Sequence, residues 1–278
     1  MSSSRQTRPS FKSIWSAGAD LSSRKILTGL WCWRYRGIPG RHILRRLLLP
    51  QKDVLEIKLR GERPLRLSMR RNDRGGHASF FENFFELPWQ FSFPQSPQSI
   101  ADCGAHIGCF SLYAHRRWPS ARIVAFEPEE KNQVLLRRNF ADNGINGEVC
   151  GKAIWKETTE LAFASGQSNA GYLTAGTKQS RHEAGNTTRR VQATSLRDHF
   201  GADLQRVDVL KLDIEGAELE VLDAELPHLS GRTVILCELH FVQANQVRFN
   251  AILARHGWDS QLHDASHPPH VTWILRKV

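Results

Sequence analysis

The segment SIADCGAHIGCFSLYAHRRWPSARIVAFEP, residues 99–128, decides the fold. Two short apolar runs, at residues 100–101 and 123–126, predict strands, and each is followed by a carboxylate, Asp102 and Glu127. A turn that contains glycines and an apolar helical pattern lie between the two runs. This order of strand, glycine turn, helix, strand and acid is typical of the nucleoside-binding half of a parallel α/β sheet.

The glycine turn favours a ligand at the start of the first helix. Gly104 and Gly108 permit tight backbone turns and leave room for a ligand, and the following helix presents unpaired N–H groups. Glu127 ends the second strand, where a carboxylate can accept hydrogen bonds from both hydroxyls of a ribose. The dinucleotide pattern GxGxxG is incomplete because position 106 is His. An NAD-dependent oxidoreductase is therefore disfavoured, although it remains an alternative.

A second dense signal, VDVLKLDIEGAELEVL, spans residues 207–222. Its apolar start predicts a buried strand, and the charge of Lys211 within that strand requires a partner. Asp213 follows the strand, at the edge where open α/β sheets bind ligands. The alternative interpretation is that Asp213 only caps the next helix, with Glu218 or Glu220 facing solvent.

The next predicted strand ends in Glu238 and His240, whose side chains point to the same side because strand residues alternate. Asp213, Glu238 and His240 are therefore expected to converge at one edge of a crevice. Carboxylates beside an imidazole are an acid–base set and also a set of ligands for a divalent metal. They are the candidate catalytic residues: the base is expected among the three, His240 has a suitable pKa near neutrality, and Asp213 would orient it or hold a metal. A divalent metal is a possible cofactor.

Alternating strand and helix patterns predict an α/β fold with a mostly parallel, doubly wound sheet. The expected strands lie near residues 100–102, 122–126, 148–153, 160–164, 171–174, 207–212, 233–239, 258–262 and 271–277, and the expected helices near 107–116, 129–141, 196–200, 217–226 and 242–256. Residues 179–189 are polar and predict a mobile loop. The longer loop at residues 165–190 and the N-terminal part are expected to shape the site of the second substrate.

The N-terminal part predicts three kinds of structure. Residues 1–25 are rich in Ser and Arg and predict disorder, and residues 26–50 alternate apolar and basic clusters, typical of a helix. Residues 54–58 and 65–69 predict a β-hairpin. A helix is expected over residues 78–87, with an apolar face formed by Phe80, Phe81, Phe84 and Phe85. The expected division is a basic extension at 1–50, a hairpin subdomain at 51–96 and the main domain at 97–278.

Charge is distributed unevenly along the 278 residues, whose net charge is +10. Residues 1–74 carry 18 Lys and Arg against 5 Asp and Glu, whereas residues 75–278 carry a net charge of −3. The N-terminal part would therefore meet an anionic partner, or it is a solvated basic tail. Five scattered cysteines fit a reducing compartment and predict a cytoplasmic location. No run of about 18 apolar residues predicts a membrane span.

Three segments together resemble the FkbM family of S-adenosylmethionine-dependent methyltransferases. DCGAHIGCFS at residues 102–111 resembles its nucleoside loop, and FEP at residues 126–128 resembles its acidic ribose motif. LKLDIEGAE at residues 210–218 is similar to its most characteristic segment. The order and spacing agree from about residue 50 to the C-terminus. The resemblance implies a Rossmann-like class I methyltransferase fold with a late antiparallel strand.

The resemblance also implies roles for individual residues. Gly104, Ala105 and Gly108 would hold the amino-acid end of S-adenosylmethionine, and Asp102 would orient that end directly or through water. His106 stands where the family usually has Asn; either residue can donate a hydrogen bond to the methionine part, and with His the affinity is expected to fall at low pH. Glu127 would hold the ribose.

The remaining implied role concerns the adenine, which would pack near residues 150–153, including Ala153. Members of such families mostly methylate hydroxyl groups of sugars or small natural products, so a small-molecule or glycan acceptor is expected. Two further alternatives stay open. One is methylation of RNA or another polyanion through the basic N-terminal part, and the other is a catalytically inactive interaction module.

Overall fold

The computed structural model describes residues 54–71, 73–86, 96–165, 171–173, 187–264 and 271–278. The predicted disordered tail, the helix at 26–50 and most of the loop at 179–189 lie outside the described residues. The strands are β1 (Val54–Leu59), β2 (Leu65–Arg70), β3 (Ser99–Cys103), β4 (Arg122–Phe126), β5 (Gly147–Cys150), β6 (Ala153–Ile154), β7 (Thr159–Ser165), β8 (Gly171–Leu173), β9 (Thr187–Thr194), β10 (Val209–Leu212), β11 (Val234–Leu239), β12 (Trp258–Asp264) and β13 (Val271–Lys277). The α-helices are α1 (Arg74–Phe81), α2 (Cys109–Arg117), α3 (Glu130–Asn143), α4 (Leu196–Phe200), α5 (Glu218–Glu225) and α6 (Val242–His256).

The central sheet has seven strands in the order β12-β13-β11-β10-β3-β4-β5. The five strands from β11 to β5 are parallel, and β13 is antiparallel to both β11 and β12. From β3 the chain proceeds outward to β4 and β5, and from β10 it proceeds in the opposite direction to β11. The strand order therefore reverses between β3 and β10, which confirms the predicted doubly wound sheet and marks the position of a ligand crevice.

Both faces of this sheet are covered, because adjacent residues of each strand point to opposite layers. Ile100 belongs to a buried cluster that includes Phe110 of α2 and Phe140 of α3. Its neighbour Ala101 belongs to a cluster on the other face that includes Leu222 of α5 and Phe249 of α6. The strand ends that carry the carboxylates are thus held by a close-packed scaffold.

The β1–β2 hairpin and α1 pack beside the glycine turn. Leu67 and Met69 share a buried cluster with Phe80 of α1 and with Ile107 and Leu135 of the main sheet's flank. The hairpin is antiparallel, as predicted. The hairpin therefore packs against helices α2 and α3, next to the glycine turn. The domain boundaries stay a prediction.

The helix predicted at 78–87 begins earlier than expected. It starts at Arg74 because the Asp73 carboxylate accepts a hydrogen bond from the backbone N–H of Gly76 and caps the helix. A π-helical segment, Glu82–Glu86, follows it. Phe80, Phe81 and Phe84 pack into the core as predicted, whereas the side chain of Phe85 lies outside the described residues.

Two further predictions are wrong in detail. The strand expected at 148–153 is two strands, since β5 pairs with β4 whereas β6, which contains Ala153, pairs with β9 in a separate four-stranded sheet, β6-β9-β7-β8. The loop expected to run to Arg189 ends before Thr187, because residues 187–193 belong to β9 and pair with β7.

Of the helices in the described residues, none combines the length and apolar character that a membrane crossing requires.

Candidate active site

Backbone strain is concentrated at the carboxyl ends of three neighbouring strands. His106 follows β3, Glu215 follows β10 and Phe241 follows β11, and their φ angles are 52°, 56° and 53°. Within the described part of the chain they are the non-glycine residues with a left-handed φ. Each such residue costs on the order of 1–3 kcal/mol and persists mainly at functional sites. The strain therefore points to this edge of the sheet.

The glycine turn after β3 is in direct contact with the loop after β10. A methyl group on Gly104 (φ +79°) would lie 1.8 Å from the Asp213 carbonyl oxygen, so only glycine permits this approach. A methyl group on Gly108 (φ +89°) would lie 2.7 Å from Cδ1 of Leu136 in α3. Both glycines thus serve packing between loops and helices, and their role in ligand approach stays a prediction.

Glu127 lies at the end of β4 with its carboxylate beside the glycine turn. One carboxylate oxygen accepts a hydrogen bond of 2.8 Å from the backbone N–H of His106, and the other accepts one of 2.8 Å from the backbone N–H of Glu129. Burial raises the pKa of Glu127 from its ordinary 4.5 to about 7, although these hydrogen bonds oppose the shift. The oxygen bonded to Glu129 also accepts a longer hydrogen bond of 3.4 Å from Asn132, so a ligand donor would use the second lone pair of the oxygen bonded to His106 or displace Asn132.

A closed ring of polar contacts joins Glu127 to the hairpin subdomain. Asn132 of α3 donates a 3.4 Å hydrogen bond to Glu127 and accepts one from the Arg70 guanidinium. Arg70 also donates to the carboxylate of Asp73 at 2.7 Å, and Nε2 of His106 lies 3.8 Å from that same carboxylate. Burial lowers the pKa of His106 even though Asp73 opposes the shift. The sequence interpretation did not include Arg70, Asp73 or Asn132.

Asp102 and Lys211 form a buried ion pair beneath the glycine turn. The Asp102 side chain is 0% exposed and accepts a 2.6 Å hydrogen bond from the Ser111 hydroxyl. The ammonium of Lys211 lies 3.4 Å from Asp102 and donates a 2.9 Å hydrogen bond to the Gly104 carbonyl. Burial disfavours that charge, but Asp213 and Asp102 outweigh it and raise the pKa of Lys211. Because Asp102 is fully buried, its predicted effect on a cofactor would pass through the turn.

The three candidate catalytic residues converge as predicted. Asp213, Glu238 and His240 each offer one ligand atom, and these atoms lie within 4.8 Å of one another. The Asp213 carboxylate also lies 3.2 Å from the Lys211 ammonium. Burial and the Asp213 charge raise the pKa of Glu238 well above its ordinary value. Two carboxylates and one imidazole thus lie close together at the carboxyl ends of β10 and β11.

Glu218 holds His240 from the other side, which overturns the alternative interpretation of this segment. The Glu218 carboxylate is buried and accepts hydrogen bonds from His240 Nδ1 at 2.9 Å and from the N–H groups of Ile214 and Gly216 at 3.1 Å. The N-cap residue of α5 is Ala217, so Asp213 does not cap the helix. The turn after β10 folds back over the helix start and buries Glu218.

His240 therefore lies among carboxylates. Its Nε2 is 3.4 Å from the Glu215 carboxylate and 3.9 Å from that of Asp213. Burial disfavours the charged ring, but Glu218, Glu215 and Glu238 outweigh it and raise the pKa of His240 well above its ordinary value. The side chain of His240 is 3% exposed and that of Asp213 is 30% exposed. Asp213 is thus the member of this pair whose side chain is accessible at the carboxyl ends of the strands.

The chain matches a family profile described as the methyltransferase FkbM domain over residues 102–265. That range runs from the end of β3 to the end of β12. It contains Glu127 as well as Asp213, Glu238 and His240. The chain belongs to the FkbM methyltransferase family. The resemblance drawn from its three sequence segments is therefore confirmed, and so is the class I methyltransferase fold.

Two proteins named as methyltransferases are similar to part of this chain. Methyltransferase sdnD of Sordaria araneosa is 32% identical over 157 residues, which cover 46% of this chain and 60% of that protein. Methyltransferase 1 of Beauveria bassiana (strain ARSEF 2860) is 31% identical over 147 residues, which cover 44% of this chain and 56% of that protein. The chain thus spans less than two thirds of the length of these relatives.

A solved structure shares the fold of this FkbM protein. Pyrococcus horikoshii TYW2, solved in complex with MeSAdo, has a TM-score of 0.50 at 13% identity and covers 82% of this chain and 73% of its own. At that identity the likeness concerns the fold alone.

Two small residues among the predicted cofactor contacts are buried in the FkbM domain. Ala105 belongs to the cluster around α2, and its backbone N–H donates a 2.9 Å hydrogen bond to the Phe126 carbonyl. Ala153 packs in the cluster of the second sheet with Trp155 and Phe163. A contact between adenine and Ala153 stays a prediction.

Proposed function

We propose that this FkbM protein transfers the methyl group of S-adenosylmethionine to a hydroxyl of a sugar or small natural product. One observation carries the proposal: Glu127 and Asp213 stand at the carboxyl ends of β4 and β10, on the two sides of the glycine turn that follows β3. In this proposal Glu127 would bind the ribose, and Asp213 would receive the acceptor hydroxyl. Membership of a methyltransferase family supports the reaction class, and the MeSAdo complex of TYW2 supports the type of cofactor.

The cofactor would lie along the glycine turn. Gly104, Ala105 and Gly108 would contact its amino-acid end through their backbone, and His106 would donate to the methionine part. Glu127 would accept one ribose hydroxyl on the second lone pair of the oxygen bonded to His106, and the other hydroxyl on the oxygen that Asn132 reaches at 3.4 Å, in place of that long contact. The positive sulfonium would lie near an edge where carboxylates outnumber the ammonium and imidazolium groups.

Asp213 is assigned as the proton acceptor. When bound, S-adenosylmethionine would supply an electrophilic methyl group: the methyl would pass to the acceptor oxygen as its bond to sulfur breaks, S-adenosylhomocysteine would be left as a neutral thioether, and the hydroxyl proton would pass to Asp213. Since the hydroxyl becomes strongly acidic once its oxygen is methylated, a carboxylate is a sufficient base, and alignment supplies much of the rate. The Asp213 side chain is accessible, whereas His240 is nearly fully buried and is held by Glu218. His240 and Glu238 would then orient Asp213 and the acceptor.

A divalent metal is a second element of the proposal. Asp213, Glu238 and His240 offer carboxylate and imidazole ligands at metal-compatible spacing, and these ligand types suit several divalent ions. A bound ion would lower the pKa of the acceptor hydroxyl, and binding would require His240 Nε2 to be deprotonated. Calorimetric titration with Mn²⁺, with and without EDTA pretreatment, tests this element, and the absence of binding would remove it.

The test of the proposed function is transfer of a radiolabelled methyl group. Purified protein is incubated with labelled S-adenosylmethionine and, separately, with mixtures of sugars, mixtures of small alcohols and phenols, and total RNA. We expect label in a small hydroxyl compound, a loss of about 100-fold or more in Asp213→Asn, and full activity in the exposed control Asp259→Asn. Label on RNA would instead support the polyanion alternative, and no transfer together with no cofactor binding would support the inactive module.

A further inference from the structure

Arg189, in strand β9 of the second sheet, reaches the segment that follows Glu127. Its guanidinium donates a 2.8 Å hydrogen bond to the Pro128 carbonyl and lies 3.4 Å from the Glu129 carboxylate and 3.7 Å from that of Glu130. The same guanidinium stacks over the ring of Phe163, with 5.7 Å between its central carbon and the ring centroid. The Arg189 side chain thus has four partners, one carbonyl, two carboxylates and one aromatic ring.

The contacts of Arg189 lead directly to the ribose carboxylate. Glu129, which Arg189 holds through its side chain, donates its backbone N–H to the Glu127 carboxylate at 2.8 Å. Pro128, which Arg189 holds through its carbonyl, is the residue that joins Glu127 to Glu129. The position of that N–H donor, and with it the orientation of Glu127, therefore depends on the position of Arg189.

The chemistry of the guanidinium suits this task. A planar guanidinium presents several donors in fixed directions, so it can bond to a carbonyl and a carboxylate while its face packs on an aromatic ring. A lysine ammonium carries the same charge but lacks the planar fork. The Glu129 side chain is largely buried and that of Arg189 is partly buried, so their attraction is less screened than that of an exposed pair.

We propose that Arg189 is a positioning residue for the cofactor site, through which the second sheet sets the orientation of Glu127 and the affinity for the adenosyl group. The proposal rests on the proposed function. It adds that a residue more than 60 positions along the chain, in a different sheet, controls the ribose contact.

The experiment is calorimetric titration of the full chain with S-adenosylhomocysteine. The variants are Arg189→Ala, Arg189→Lys and the control Arg190→Ala. Arg190 is the next residue of β9, its side chain is 71% exposed, and it pairs with Glu160 on β7, away from Glu127. We expect the Kd to rise about fivefold or more in Arg189→Ala, to rise less in Arg189→Lys, and to stay within about twofold of wild type in Arg190→Ala.

A double-mutant cycle separates positioning of Glu127 from general stabilisation. In a Glu127→Gln background we expect Arg189→Ala to change the Kd by no more than about twofold, because the contact that it orients is already weakened. Equal losses in both backgrounds, or a folded Arg189→Ala with wild-type affinity, would overturn the proposal. If Arg189→Ala does not fold, the same comparison with Arg189→Lys decides. Failure of the wild type to bind S-adenosylhomocysteine would overturn the proposed function and this inference together.

Discussion

Binding of the adenosyl group is expected to remove a proton from Glu127. In the unliganded protein, burial raises the pKa of this carboxyl to about 7, so it is half protonated near neutral pH. Ribose hydroxyls donate hydrogen bonds to the ionised carboxylate and thereby favour its charged form. The pKa of Glu127 must consequently fall when the ligand binds. By linkage, the affinity must fall when the pH is lowered through that value.

The size of the effect follows from the two pKa values. With a pKa of about 7, Glu127 is ionised in about nine tenths of the unliganded protein at pH 8 and in about one tenth at pH 6. We assume that binding returns this pKa to its ordinary 4.5, so that the carboxylate is ionised in the complex at both pH values. The Kd should therefore rise about tenfold between these conditions, which corresponds to about 1.4 kcal/mol. Near pH 7, about half a proton should be released for each ligand bound.

The assay is isothermal titration calorimetry in two buffers that differ in ionisation enthalpy. The ligand is 5′-methylthioadenosine, which keeps the ribose but has no amino group that titrates in this range. His106 donates its backbone N–H to Glu127, and burial lowers the pKa of its imidazole, so a Glu127 variant is needed to assign the pH dependence to the carboxyl group. In Glu127→Gln the pH dependence should vanish, whereas Asp259→Asn, which changes an exposed acid on the edge strand β12, should behave as wild type.

One result would refute this reasoning. If the wild-type protein binds the ligand with the same Kd at about pH 6 and about pH 8 and releases no proton, Glu127 does not contact the ribose as an ionised carboxylate. The same conclusion would follow if Glu127→Gln kept the full pH dependence.

Four further substitutions, of which Gly144→Ala is the control for Gly104→Ala, test the packing around the site by urea denaturation. Gly104→Ala would place a methyl group 1.8 Å from a carbonyl oxygen and should cost about 3 kcal/mol or more, whereas Gly144→Ala, at a left-handed position with no atom within 4 Å, should cost about 1 kcal/mol. Glu218→Ala leaves the buried charge of His240 without its closest partner and should cost about 3–5 kcal/mol. Leu236→Ala opens a cavity in the central sheet and should cost about 2–5 kcal/mol.

Elements with strong local signals could be predicted from the sequence. Strand β13 and helix α6 have the predicted bounds, since alternation defines the strand and Gly257 ends the helix in a left-handed conformation. The convergence of Asp213, Glu238 and His240 was also predictable, because the carboxyl ends of neighbouring parallel strands meet at one edge of the sheet.

Residues that act through long-range contacts could not be predicted in this way. Arg70 meets Asn132, and Arg189 meets Pro128, across about sixty residues of chain, and no local pattern encodes either contact. Glu218 stands in the first turn of a helix, where an acid is ordinarily solvated. It is buried by the turn around Glu215, whose neighbours Ile214 and Gly216 donate their N–H groups to its carboxylate, in a loop that also contacts the glycine turn.

The most direct test of the central claim is calorimetric titration of the wild-type chain, Glu127→Gln and the exposed control Asp259→Asn with S-adenosylhomocysteine at neutral pH. We predict binding by the wild type and by Asp259→Asn, and a Kd raised about tenfold or more in Glu127→Gln, because a charge-assisted pair of ribose hydrogen bonds is weakened. No binding by a folded wild type, or equal binding by all three proteins, would contradict the account.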